Sequence, residues 1–148
     1  MQAGQQEFQA ITENAMRILI IEDEKQLGEL TAELLRWVDE PAGKIEAISL
    51  AGDLHTAMRL LPEHDAVLCD GQFPLSPDSC FAAEEWDVVW YEARRLKIHF
   101  VLYTGCSAAF DEARICAIPA ICKPGSIETI YANLIEHCPE ARPVAVSH

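Results

Sequence analysis

Three consecutive acids, Glu22-Asp23-Glu24, follow the apolar run RILII at 17–21. A lone aspartate, Asp70, stands directly after AVLC at 66–69. Thr104 closes HFVLY, and Lys123, with Pro124 behind it, closes PAIC. Each polar group comes immediately after a run that reads as a buried strand. Parallel strands in one open sheet bring their C-terminal ends to a common edge, so groups up to 101 residues apart in the chain would meet there. Carboxylates gathered in this way repel one another unless something positive sits among them. Mg²⁺, a hard cation that takes oxygen ligands, suits Glu22, Asp23 and Asp70. The Lys123 ammonium can hold an anion on the far side of Asp70, and the Thr104 hydroxyl adds a donor. Cation, ammonium and hydroxyl around one aspartate suit a carboxylate that attacks phosphorus, because the phosphoryl oxygens need positive groups and donors as charge moves onto them.

The elements that must position these groups alternate along the chain. RILII is apolar after its first residue, as a strand covered on both faces should be. Leu27, Leu30, Leu34 and Val38 recur at helical spacing and predict a helix buried along that stripe, ending before Pro41 and Gly43. IEAISL predicts a second strand, and Gly52-Asp53 opens a helix with Leu54, Ala57, Leu60 and Leu61 that stops at Pro62. AVLC is the third strand. DGQFPLSPDSC, with two prolines and a glycine, reads as loop, and a helix is expected from about Ala82 to Leu96 with Trp86, Val89 and Trp90 on one side. HFVLY, a short helix over about 108–116, PAIC and a last helix carrying Ile127, Ile130, Tyr131, Leu134, Ile135 and Cys138 complete the series, with Ser126 and Glu128 at the positive end of the last helix dipole. Five strands alternating with helices make an α/β domain, a parallel sheet covered on both faces. Residues 1–15 read as an N-terminal arm, 16–140 as the domain and 141–148 as a C-terminal tail.

The chain's 148 residues suffice for one domain. Half of them are apolar and the formal charge is −13, so the chain is expected to fold and to be repelled by a phosphate backbone; nucleic acid is a poor partner. No apolar run is long enough to span a membrane, and the N-terminus has no basic flank or apolar signal core, so a cytoplasmic location is expected. The six cysteines show neither a CxxC pair nor zinc-like spacing. Cys69 and Cys122 lie in apolar strand runs, where a reduced thiol serves as a small buried side chain. No GxGxxG or GxxxxGK follows RILII, which disfavours a dinucleotide or P-loop enzyme.

RILIIEDE (17–24), AVLCDGQFP (66–74), FVLYTG (100–105) and ICKPG (121–125), in this order and each at a strand end, resemble the receiver domains of two-component response regulators. The resemblance covers roughly 17–138 and implies a flavodoxin-like sheet in the order 2-1-3-4-5. It implies that Asp70 accepts a phosphoryl group from a histidine kinase or a histidine phosphotransfer protein. Glu22 and Asp23 match the acidic pair of the Mg²⁺ site, with Asp23 the more direct ligand, and Gln72 matches the position whose backbone carbonyl completes it. Thr104 matches the switch hydroxyl, Gly105 the small residue beside it, and Lys123 the lysine that pairs with the phosphoryl oxygens, with Pro124 after a cis peptide. Only about ten residues follow the last helix, so output is expected through a separate protein partner or a homodimer. There are departures. Glu22 replaces the usual aspartate, and Ala120 stands where an aromatic normally swings inward with the threonine. The span from Thr104 to Lys123 is short, which should shrink the fourth helix region.

Two other readings compete. A phosphorylation-silent, receiver-like binding module would tolerate Glu22 and Ala120 but has no need of Asp70, Thr104 and Lys123 together. An Mg²⁺-dependent phosphoryl hydrolase on a similar sheet would want a second acid two residues after the nucleophile, where this chain has Gln72.

Overall fold

The computed structural model describes residues 15–139; the expected arm, apart from Ala15, and the expected tail lie outside them. Five strands form one parallel sheet: β1 (Met16–Ile21), β2 (Ile45–Ala51), β3 (Ala66–Asp70), β6 (His99–Thr104) and β7 (Ala120–Cys122). Their spatial order is β2-β1-β3-β6-β7, which is 2-1-3-4-5 counted along the main sheet, the flavodoxin-like receiver arrangement. Two further strands, β4 (Phe73–Pro74) and β5 (Ala82–Ala83), pair antiparallel as a small ribbon beyond β3.

The alternation of side chains along β1 shows why the apolar runs are continuous. Ile18 and Ile20 join a cluster with Ala32 and Leu35 of helix α1 (Lys25–Asp39). Ile130 and Tyr131 of helix α5 (Ile127–Tyr131) belong to the same cluster, as do Leu134 and Ile135 of the π-helical turn that extends it over Ala132–Glu136. Leu19 and Ile21 point the other way, into a cluster with Ala57 of α2 (Leu54–Leu60) and with Trp86, Val89 and Ala93 of α3 (Trp86–Leu96). Ala109 and Ala113 of α4 (Ser107–Ile115) close that side. The central strands β1 and β3 are covered on both faces, so a polar face on either would leave buried groups unpaired.

Three expectations need correction. The stripe Leu27, Leu30 and Leu34 faces outward, together with Trp37 at 70% exposure, and α1 is buried instead through Gly28, Ala32, Leu35 and Asp39. Two stripes one residue apart both repeat at helical spacing, and apolar content alone chose the wrong one. Packing chose the stripe that holds the small residues. At Gly28 an added Cβ would stand 3.6 Å from Cβ of Glu22, so α1 can lie close over the strand end. Asp39 fixes the helix's rotation: its carboxylate accepts from Lys44 N (2.9 Å), Ile45 N (2.9 Å) and the Tyr131 hydroxyl (2.6 Å), tying α1 to β2 and α5. Burial, and then the hydrogen bond to Asp39 and its charge, push the Tyr131 phenol well above its usual range.

Second, the helix expected from Ala82 begins at Trp86, because the backbone at Ala82–Ala83 pairs with the strand that buries Phe73. Third, Cys122 is exposed while Cys69 is buried. β7 is an edge strand of three residues, so one side of its end is uncovered. Elsewhere the local signals hold: Asp53 caps α2 through Thr56 N and Oγ1, and Ser126 caps α5 through Thr129 N. No described helix is long and apolar enough to cross a membrane.

The Asp39 junction yields a stability prediction. Tyr131→Phe keeps the ring and removes one charge-assisted hydrogen bond, and should cost about 1.5 kcal/mol. Asp39→Ala leaves two amides and a phenol without their acceptor and should cost about 3 kcal/mol or more. Urea unfolding with unchanged m-values would measure both; equal, negligible losses would mean the junction is solvated.

Candidate functional site

The C-terminal edge of the sheet collects the charged groups. Glu22 leaves β1 on the α1 side of the sheet, close to the backbone of Gly28, and its Oε2 accepts from Glu24 N at 3.2 Å. Asp70 ends β3, with Oδ1 accepting from Gly71 N at 2.6 Å. Lys123 follows β7, held by its own amide on Thr104 O at 2.9 Å, and its peptide bond to Pro124 is cis. Its ammonium lies between the two acids, 3.1 Å from Glu22 Oε1 and 3.3 Å from Asp70 Oδ1. The three side chains are 10, 14 and 23% exposed for Glu22, Asp70 and Lys123, which is enough burial to strengthen their mutual field.

That field has a measurable consequence. Burial, then the charge of Asp70, raise the Glu22 carboxyl from an ordinary 4.5 to about 7, although Lys123 opposes both. Lys123 itself is raised: burial opposes its charge, but the neighbouring Asp70 and Glu22 outweigh that penalty. The acids crowd beyond what one lysine neutralises. Carboxylate oxygens of Glu22, Asp23 and Asp70 all lie within 4.8 Å of one another, with Asp23 exposed at the rim. A set of hard oxygen donors with surplus negative charge fits a divalent cation, Mg²⁺ among them.

Thr104 is buried beside this cluster at 2% exposure, and its Oγ1 accepts from Cys106 N at 3.0 Å, at the start of α4. Gly71 makes that approach possible, since a Cβ there would collide with the Thr104 hydroxyl. Ala120 packs on the same face of the sheet, partly buried against the cluster there. Gln72 is exposed on the loop two residues past Asp70. The residues singled out in the sequence therefore gather at one edge, Glu22, Asp70 and Lys123 in direct contact. Two residues not singled out also shape the site. Gly71 is one, legible only once Thr104 is known to lie across it. The other is Tyr103, whose ring lies 5.3 Å from Lys123 Nζ and whose hydroxyl accepts from Gly125 N at 3.0 Å. In the sequence Tyr103 reads as one more apolar residue of a strand.

The crowding predicts a pH dependence. Without divalent ions, the Glu22 side-chain carboxyl carbon should titrate near pH 7, and Asp70→Asn should move it down towards the ordinary range by removing the second cause of its shift. The folded state holds this proton more tightly than the unfolded chain does. The contribution of Glu22 to stability is therefore full below about pH 4.5 and is lost as pH rises through 7. Glu22→Gln should flatten that part of the stability profile. A Glu22 that titrates at its ordinary value, unmoved by Asp70→Asn, would refute the like-charge account.

No protein-family model and no curated protein sequence matches the chain. Solved structures do. A DNA-binding response regulator of the LuxR family from Staphylococcus aureus is similar over 80% of this chain and 94% of its own, with 19% identity and a TM-score of 0.63. The response regulatory domain of protein mrkE from Klebsiella pneumoniae is similar over 82% of this chain and 93% of its own, at 21% identity and a TM-score of 0.58. The isolated REC domain of RcsB from Salmonella enterica serovar Typhimurium, solved with the phosphomimetic BeF₃⁻, is similar over 77% of this chain and 81% of its own, at 14% identity and a TM-score of 0.61. At these identities the likeness is one of fold, and the fold of this chain is that of the response regulator receiver domain.

Proposed function

We propose that this chain is a phosphoacceptor receiver, taking a phosphoryl group on Asp70 from the phosphohistidine of a histidine kinase or a histidine phosphotransfer protein. The observation that carries the reading is the Lys123 ammonium, 3.3 Å from Asp70 Oδ1, within an acidic cluster that fits a divalent cation, at the C-terminal edge of a receiver-fold sheet. A carboxylate oxygen of Asp70 attacks phosphorus, the P–N bond of the donor breaks, and its electron pair returns to the imidazole. The product is an acyl phosphate, a mixed anhydride that stores a signal. Mg²⁺, when bound by Asp23, Asp70, Glu22 and the Gln72 carbonyl, supplies positive charge against the phosphoryl oxygens. Lys123 supplies the opposite clamp: it gives up its contact with the Asp70 carboxylate for one with a phosphoryl oxygen.

Thr104 supplies the readout. Its hydroxyl can donate to the new phosphoryl group while still accepting from Cys106 N, so a shift of the hydroxyl towards Asp70 draws on the first residue of the α4 cap. Ala120 has no ring to follow it, and the response is centred on residues 104–108 and α4. With a formal charge of −13, output goes to a protein partner, a second copy of the chain among the candidates, and not to nucleic acid. The absence of a membrane-spanning helix among the described residues and the two-component chemistry support a cytoplasmic signalling protein.

Acetyl phosphate with millimolar Mg²⁺ should add one base-labile phosphoryl mass to the protein. Asp70→Asn should abolish it, Lys123→Ala should keep the fold and slow it about 10²-fold, and Asp23→Asn should raise the Mg²⁺ concentration required. No mass gain in wild type, or a gain that survives Asp70→Asn, refutes the reading; the first outcome favours a phosphorylation-silent binding module. Hydrogen exchange with and without beryllofluoride should change at residues 104–115. Changes confined to the acidic loops would leave a phosphate shuttle in place of a switch.

A further inference from the structure

Tyr103 is the residue before Thr104 at the end of β6 and points to the opposite face, towards the cluster beneath α1 and α5. It meets Lys123 and its loop in two ways. The ring lies 5.3 Å from Nζ, within cation–π range. The hydroxyl accepts from Gly125 N at 3.0 Å, while one strand residue further on, Thr104 O accepts from Lys123 N at 2.9 Å. The segment 123–125 is thereby pinned at both ends by consecutive residues of β6. The fit at Gly125 is close, since a Cβ there would stand 3.4 Å from Tyr103 Cε1 and 2.8 Å from Ile121 Cγ2. The loop cannot settle deeper, and the lysine stem leaves from a fixed point.

We propose that Tyr103 is a positioning residue for Lys123, holding its ammonium over Asp70 through the ring and its loop in place through the hydroxyl; this rests on the phosphoacceptor reading of Asp70. The physical need is specific. Both other groups that touch the ammonium are carboxylates, and a carboxylate that holds a lysine also neutralises it. An aromatic face attracts the ammonium through its quadrupole and adds no net charge, so the full positive charge stays available to an anion formed on Asp70. An aliphatic residue at 103 would fill the same space and supply neither the face nor the acceptor for Gly125.

The test compares Tyr103→Phe and Tyr103→Leu with wild type in the full chain. In wild type the Lys123 ε-methylene protons should resonate upfield of those of Lys25, Lys44 and Lys97, from the ring above. Tyr103→Leu should abolish that displacement and weaken Mg²⁺-dependent beryllofluoride binding about 3- to 10-fold. Tyr103→Phe should retain the displaced signal and most of the affinity, yet lose exchange protection at the Gly125 amide. A purely structural residue would lower Tm in both variants and leave the lysine signal and the beryllofluoride affinity as they were, which overturns the proposal. Should Tyr103→Leu fail to fold, Tyr103→Phe decides alone, and unchanged protection at Gly125 overturns it. The lysine signal needs no phosphoryl chemistry. A wild-type protein that shows the displaced signal but binds no beryllofluoride would therefore overturn the phosphoacceptor reading and leave the positioning of Lys123 by Tyr103 standing.

Discussion

Two carboxylates face one another across the end of the sheet, and the Lys123 ammonium between them is what lets both stay. The contact joins residues 101 positions apart and spans three strand ends, so it can form only when β1, β3 and β7 are in register. It is also incomplete. One positive charge cannot balance Glu22, Asp23 and Asp70, and burial together with the charge of Asp70 holds the Glu22 carboxyl above its ordinary range. A stable protein would avoid that arrangement unless the surplus served something, since desolvated like charges cost free energy at every pH where they are ionised. An edge whose acids outnumber its one lysine fits a divalent cation.

The rest of the fold holds that edge in place. The dry clusters above and below the sheet leave β1 and β3 no freedom to separate their acidic ends. Small residues then bring backbones close where bulk would hold them apart: Gly28 under α1 at Glu22, and Gly71 across from Thr104. The Asp39 junction works at the far edge. By tying α1 to β2 and α5 it sets the rotation of the helix that roofs Glu22, so a buried charge far from the site orients the helix that covers it. Burying a lone carboxylate would be unfavourable; three donors with near-ideal distances offset the desolvation.

The same logic separates the two faces of β6. Thr104 and Ala120 look towards α4, whereas Tyr103 looks towards Lys123 and the α1 side. A chain without an aromatic at 120 thus keeps one beside the lysine, on the other face. The two faces carry different contacts: the hydroxyl of Thr104 leads to the helix start at Cys106, and the ring of Tyr103 to the Lys123 ammonium.

Much of this was legible in the order of residues. A parallel sheet declares itself by apolar runs without alternation, and its candidate edge by the polar residue that follows four of the five runs, so Glu22, Asp23, Asp70, Thr104 and Lys123 could be gathered from the chain alone. Caps at Asp53 and Ser126 are local, and a local pattern specifies them. The tertiary structure decided what local patterns leave degenerate. α1 carries two adjacent stripes of helical period, and only contact with Glu22, β2 and Tyr131 selects the one through Gly28, Ala32, Leu35 and Asp39. Phe73 and Ala83 pair across a loop rich in turn residues, which spacing cannot foresee. Tyr103 reads as strand filler because its two partners lie across a register that no short motif encodes. Periodicity reports which residues want to be buried, whereas the particular neighbour that each one meets is set by long-range packing, where small shapes and single charges outweigh average hydrophobicity.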